Sequence, residues 1–178
     1  MKFADDTKLF GIVNSHSDSQ ILQHDLQKLT DWSHDWQMSF NVDKCKVMHV
    51  GRSNIHSKYY MNDAELGDTS EEKDLGVIIA DNLLVAKHCA YAYSKRNRIL
   101  GMIKRTVVSR DSHILLNLYK SLVRPHLEYC SPAWSPYYEK DKQLLEKVQH
   151  RFTRLFPELR KLGYHDRLRS LGLWSLEE

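Results

Sequence analysis

Two adjacent aspartates, Asp5 and Asp6, stand between short apolar stretches in "MKFADDTKLFGIV". Neighbouring carboxylates repel, so such a pair belongs either in water or around a cation. On a strand adjacent side chains point to opposite faces, but at a tight turn both reach a common space. A hairpin tip is therefore a platform on which two carboxylates can hold divalent ions, and two-metal centres of that kind serve phosphoryl transfer. A plain solvent-exposed turn uses the same residues, because aspartate is a good turn former. The cysteines offer less chemistry. Cys45, Cys89 and Cys130 are odd in number and far apart, with no C-x-x-C pair. They predict reduced thiols, and His88-Cys89 lacks a partner pair at zinc-ligand spacing.

A second chemistry-bearing pattern is cationic. Lys87, Tyr91, Lys95, Arg98 and Arg105 recur at spacings of 4, 4, 3 and 7, one face of a helix. Cations interleaved with an aromatic suit a phosphate backbone, although a solvated helix face has the same composition. Lys95, Arg98 and Arg105 are the expected phosphate contacts, with Arg124 a further candidate that could instead cap its own helix. The charge balance agrees. Residues 1–82 carry 8 Lys/Arg against 14 Asp/Glu, a net −6, whereas residues 83–178 carry 18 against 9, a net +9. A polyanion lying against the second half, or mutual attraction of two lobes, follows from that division.

The elements that must position these groups divide at the same place. Residues 1–13 predict strand–turn–strand with the aspartates at the turn. "SDSQ" predicts a capping box with Ser17 as N-cap, opening a helix with Leu22, Leu26, Leu29 and Trp36 on its buried stripe. A strand over Cys45–Val50 and strands in "KYYM" and "KDLGVII" follow, the last two separated by a polar loop. From Leu84 onward the spacing is helical over 84–106, 112–123, 141–156 and 165–171, punctuated by prolines. Trp134, between prolines, is expected to be a buried anchor. The fold class is α+β: a short antiparallel sheet with a helix over 1–82, then an all-helical lobe over 83–178. No apolar run approaches the ~18–20 residues of a membrane span, and no signal peptide is seen. A soluble intracellular protein of nucleus or cytoplasm, with no membrane partner, is expected.

Taken together, the motifs resemble the reverse transcriptase of jockey-like non-LTR (LINE-type) retrotransposons. "FADD" between apolar strands resembles the palm hairpin of these RNA-directed DNA polymerases. "LTDWSHDWQMSFNVDKCKVMHVG" resembles the segment that follows it, "EKDLGVII" the hairpin that grips the primer end, and "LYKSLVRPHLEYCSPAWSP", "LLEKVQHRFTRL" and "YHDRLRSLGLWSLEE" the thumb and post-thumb region. The resemblance covers essentially all 178 residues, in order. It implies a partial palm over 1–82 and a thumb over 83–178. It further implies that Asp5 and Asp6 are the palm metal ligands for Mg²⁺, that Phe3 shapes the floor near the primer terminus, and that Lys44 steadies leaving pyrophosphate. Leu75 and Gly76 would form the primer grip. RNA template and DNA primer are the implied partners.

The resemblance also implies what is missing: the fingers, a further palm aspartate and the nucleotide-selecting motif lie before this chain's first residue in the family. That missing segment would be the natural intramolecular partner. Without a third carboxylate, weak or absent Mg²⁺ binding and no polymerisation by this chain are expected. A non-catalytic nucleic-acid-binding module and a functionless expressed remnant are the alternatives. A nuclease built on Asp5 and Asp6 lacks a nearby base.

Overall fold

The computed structural model describes residues 2–3, 6–108 and 111–177, which form a mixed α+β chain. It divides into two compact units. One runs to Glu72 and includes Ala80–Leu83; the other combines Lys73–Ile79 with the chain from Leu84 onward. Residues 73–79 thus pack with the helices, although the charge break lies near residue 82. Two hydrogen bonds account for this: Ile78 N–H donates to His88 Nδ1 (3.1 Å) and the Tyr129 hydroxyl donates to the Leu75 carbonyl (3.1 Å).

In the first unit, β1 (Lys2–Phe3) pairs antiparallel with β2 (Asp6–Thr7), with Phe3 opposite Asp6. Asp6 therefore belongs to a strand and not to the turn expected for it. The longer strand expected through Leu9–Val13 does not form, and Phe10 and Ile12 are 77% and 83% exposed. A strand must place its N–H and C=O groups on a partner, and β2's pairing ends at Thr7.

Helix α1 (His16–Asp35) is capped by Ser15, whose hydroxyl accepts from Asp18 N–H while Asp18 accepts from Ser15 N–H. The box thus lies two residues before the Ser17–Gln20 pair expected. Asp18 takes the role because its carboxylate also accepts from Asn14 N–H and the Ser15 hydroxyl. These bonds hold its carboxyl below the ordinary range. The buried stripe runs through Ser19, Leu26, Thr30 and Ser33. Trp36, expected on it, is the C-cap and 67% exposed; ten residues past Leu26, it stands about 80° around the axis from it.

Strands β3 (Lys46–Val47), β4 (Tyr60–Met61), β5 (Ala64–Glu65), β6 (Gly67–Asp68), β7 (Glu71–Asp74) and β8 (Val77–Ala80) follow. They pair as β3–β6, β4–β5 and β7–β8, not as the single antiparallel sheet expected, and β3–β6 is parallel. Asn62 and Asp63, both at positive φ, make the two-residue turn of β4–β5. Leu26, Tyr59, Met61 and Leu66 form a small core with Phe40 and Val47 against it. Gln23 fixes α1 to β4, donating to the Tyr60 carbonyl and accepting from its N–H, both at 2.9 Å.

The second unit is built from α2 (Ala86–Thr106), α3 (Ser112–Leu122), α4 (Arg124–Glu128), α5 (Ser131–Trp134), α6 (Glu139–Thr153) and α7 (Tyr164–Leu171). Pro125 and Pro132 open α4 and α5 rather than merely ending helices, as a residue lacking N–H can in a first turn. The core joins α2, α3 and α6 through Leu100, Ile103, Leu115, Tyr119, Val148 and Phe152. Trp134 is buried, and its indole N–H donates to the Tyr129 carbonyl (2.7 Å). No helix among the described residues is long and apolar enough to cross a membrane.

His88 gives this unit a pH dependence. It is buried, its ring centroid lies 4.5 Å from that of Trp134, and Nδ1 accepts from Ile78. Burial lowers its pKa below the ordinary 6.5. Burial also lowers His150, helped by Arg167 and Arg154, and His126, helped by Arg96 and Lys95. The unfolded chain then binds more protons in the window from 6.5 down to the folded values. Stability is full above that window and falls as pH drops through it. Urea midpoints are expected to fall between about pH 8 and about pH 5.5, and His88→Gln to flatten part of that slope. A pH-independent midpoint would contradict this account.

Candidate nucleic-acid interface

Helix α2 positions the cationic face because its opposite side carries Cys89, Ala92, Leu100 and Ile103 into the core. Burial raises the Cys89 thiol to about 11, which makes it a packing group and not a nucleophile. On the outward face Lys95, Arg98 and Arg105 are all exposed. Lys95 Nζ donates to the Tyr91 hydroxyl (2.8 Å) and lies 5.1 Å from the ring centroid.

The structure adds a residue that helical periodicity could not supply. Lys73, on β7, places its ammonium 5.4 Å from the same ring centroid. Tyr91 thus gathers two lysines from different elements at its hydroxyl. Hydrogen bonding from Lys95, then Lys73, lowers the phenol below its ordinary pKa of 10. Arg96 and His126 belong to the same positive region, since Arg96 and Lys95 both depress His126. Arg96 is itself shifted down by burial, and its Nε is buried without a hydrogen-bond partner. An aromatic ring with ammonium groups at its edge can stack a base while the cations meet phosphates.

Arg124 is engaged within the unit. Its Nε donates to Glu128 (2.6 Å) and Nη1 to the Trp174 carbonyl (3.2 Å), so its charge is partnered and it ties the C-terminal segment to α4. Leu75 and Gly76 form the two-residue turn between β7 and β8, with φ of 44° and 89°. Leu75 pays a steric penalty there that a glycine would not. The Tyr129 hydroxyl holds its carbonyl, and a Cβ at Gly76 would stand 3.3 Å from the Tyr129 ring.

The first unit carries the remaining candidates. Asp5 lies outside the described residues, and of Phe3 the backbone pairing alone is described. Asp6 is exposed on β2, and Lys44 is exposed in a 3₁₀ turn over Val42–Lys44. No cluster of three or more His, Cys, Asp or Glu able to hold a metal gathers among the described residues. No family model matches the chain, and no curated protein or solved structure is significantly similar to it.

Proposed function

We propose that the chain is a palm and thumb portion of a non-LTR reverse transcriptase whose helical unit binds nucleic acid and which, in isolation, does not polymerise. The ordered motifs support the family. The observation that carries the binding reading is the gathering of Lys73 and Lys95 at Tyr91, continuous along α2 with Arg98 and Arg105. Exposed Phe10, Ile12 and Trp36 support a missing palm segment as intramolecular partner, because large apolar side chains left in water favour a covering surface.

Binding of an RNA–DNA hybrid and of single strands, measured by fluorescence anisotropy over a salt series, tests this. Each contacted phosphate contributes about −0.7 to −0.9 to the slope of log affinity against log salt. Joint reversal of Lys95, Arg98 and Arg105 to glutamate is expected to flatten the slope by about 2 and weaken binding at least about tenfold. Absent or salt-insensitive binding would favour the remnant instead. Primer extension on an RNA template is expected to give no product; template-dependent extension abolished by Asp5→Asn would overturn the non-polymerising reading.

A further inference from the structure

The second unit contains a cavity of about 520 Å³ where the C-terminal end of α2 meets α6 and the turn after it. Lys104, Lys147, Arg151, Arg154 and Arg160 line it, and no carboxylate does. It is separate from the face described above. On α2, Lys104 stands about 100° or more around the axis from Lys95, Arg98 and Arg105, and none of those three lines the cavity.

Like charges gathered this way repel unless something answers them. Among the described residues, Lys147, Arg151, Arg154 and Arg160 form no ion pair. Arg151 Nη1 donates to the Asn97 side-chain oxygen (3.3 Å) and Arg160 Nε to the Arg154 carbonyl (3.4 Å), both neutral acceptors that orient without neutralising.

A sixth cation stands behind the wall. Arg167 is only 5% exposed, yet its guanidinium donates to the Thr153 hydroxyl (3.0 Å) and the Leu162 carbonyl (2.8 Å), and lies 3.4 Å from His150 Nδ1. His150 lines the cavity. Glu146, one turn from His150, makes no ion pair with Arg167 and turns its oxygens to the Tyr164 hydroxyl, Gln149 and Leu176 N–H. A buried cation held by neutral acceptors alone is costly, and an anion in the adjoining cavity would offset that cost.

We propose that this cavity binds a compact oligophosphate, two or more adjacent phosphoryl groups. Guanidinium forks bind phosphate oxygens in pairs, and Arg151, Arg154 and Arg160 supply three of them. A single phosphate, with about −1.5 to −2 charges near neutrality, would leave about half of the charge of Lys147, Arg151, Arg154 and Arg160 unanswered. The same chemistry is presented by a free polyphosphate, a nucleoside triphosphate or a strand's 5′-triphosphate end.

Calorimetric titration of the full chain with inorganic tripolyphosphate tests the site. Saturable one-site binding, at least tenfold tighter than inorganic phosphate, is expected. Arg151→Ala with Arg154→Ala should weaken it at least tenfold, as should the independent pair Lys147→Ala with Arg160→Ala, with circular dichroism confirming that each folds. Reversal of Lys95, Arg98 and Arg105 should leave it unchanged, so its outcome is separable from that of the nucleic-acid interface. Equal binding of a nucleoside triphosphate would identify a free ligand, and preference for a 5′-triphosphate oligonucleotide would identify a strand end. Binding no tighter than phosphate, or untouched by both double variants, overturns the proposal. So does a 5′-hydroxyl oligonucleotide that competes through Arg151 and Arg154 as strongly as tripolyphosphate, because that describes an open backbone track.

Discussion

Phe152→Ala is expected to lower the unfolding free energy by about 3–5 kcal/mol, the range for truncating a buried phenylalanine. Phe152 is fully buried on α6. Its ring stacks on Tyr119 with centroids 4.0 Å apart and meets Phe156 edge-on at 5.3 Å. Removing it takes away apolar burial and two aromatic contacts at once, and leaves a cavity between α3 and α6 that neighbouring side chains fill only in part. Urea unfolding followed by tryptophan fluorescence checks the prediction. Phe152→Leu, which keeps much of the volume, is expected to lose about half as much or less. A loss of under about 1 kcal/mol for the alanine variant would mean that this contact is not the centre of the core.

Gln149→Leu is expected to destabilise by about 2 kcal/mol despite being apolar and close in size. Gln149 is fully buried; its carboxamide oxygen accepts from the Tyr119 hydroxyl (2.7 Å) and its nitrogen donates to the Trp174 carbonyl (2.8 Å). The same nitrogen lies 3.3 Å from Glu146 and from the Tyr164 hydroxyl. Leucine would leave the Tyr119 hydroxyl unanswered, at a cost of about 1–3 kcal/mol, and would leave the Trp174 carbonyl with Arg124 Nη1 (3.2 Å) as its remaining donor. Burial already pushes both the Tyr119 and the Tyr164 phenols above their ordinary range, so neither relieves the loss by ionising. Hydrogen exchange gives a sharper readout than stability alone. Leu176 N–H donates to Glu146 (3.0 Å), and its protection should fall together with that of the residues around Trp174. Unchanged protection there would show that the C-terminal segment is held by other contacts.

The helical lobe was largely legible because its information is local. α2 is expected over 84–106 and found over Ala86–Thr106, and α3 is expected over 112–123 and found over Ser112–Leu122. Apolar residues recurring with helical period specify a helix wherever it packs. The β-rich unit was less legible because strands take their definition from partners. Gly67–Asp68 falls in the polar loop expected between two strands, yet it is a parallel strand opposite Lys46–Val47, a pairing no local pattern announces. Leu9–Val13 reads as a strand and is not one, for want of a partner. "KDLGVII" reads by pattern as one strand and is two, divided at Leu75–Gly76, where its likeness to the family's Leu-Gly hairpin places the turn.

The candidate sites divide the same way. Lys95, Arg98 and Arg105 share a face by spacing alone, and the structure leaves them exposed on it. Lys73 could not be found from that spacing because it comes from β7, and Arg124 was a plausible cation until Glu128 and the Trp174 carbonyl engaged it. The cavity lined by Arg151, Arg154 and Arg160 was hidden for another reason. Its residues lie in a segment whose charges look like an ordinary solvated helix face, and only the fold of the chain after α6 encloses them.

The strained turn at Leu75 bears on how the molecule is made. The hydroxyl that holds its carbonyl belongs to Tyr129, 54 residues later in the chain, and Tyr129's own carbonyl is held by Trp134. A nascent chain grown as far as α3 already contains every residue of the β7–β8 hairpin, but not the group that secures its tip. The hydrogen bond at the hairpin's tip therefore becomes available only once the chain has grown through Tyr129, so a truncated product ending before it carries the strained Leu75 without its anchor.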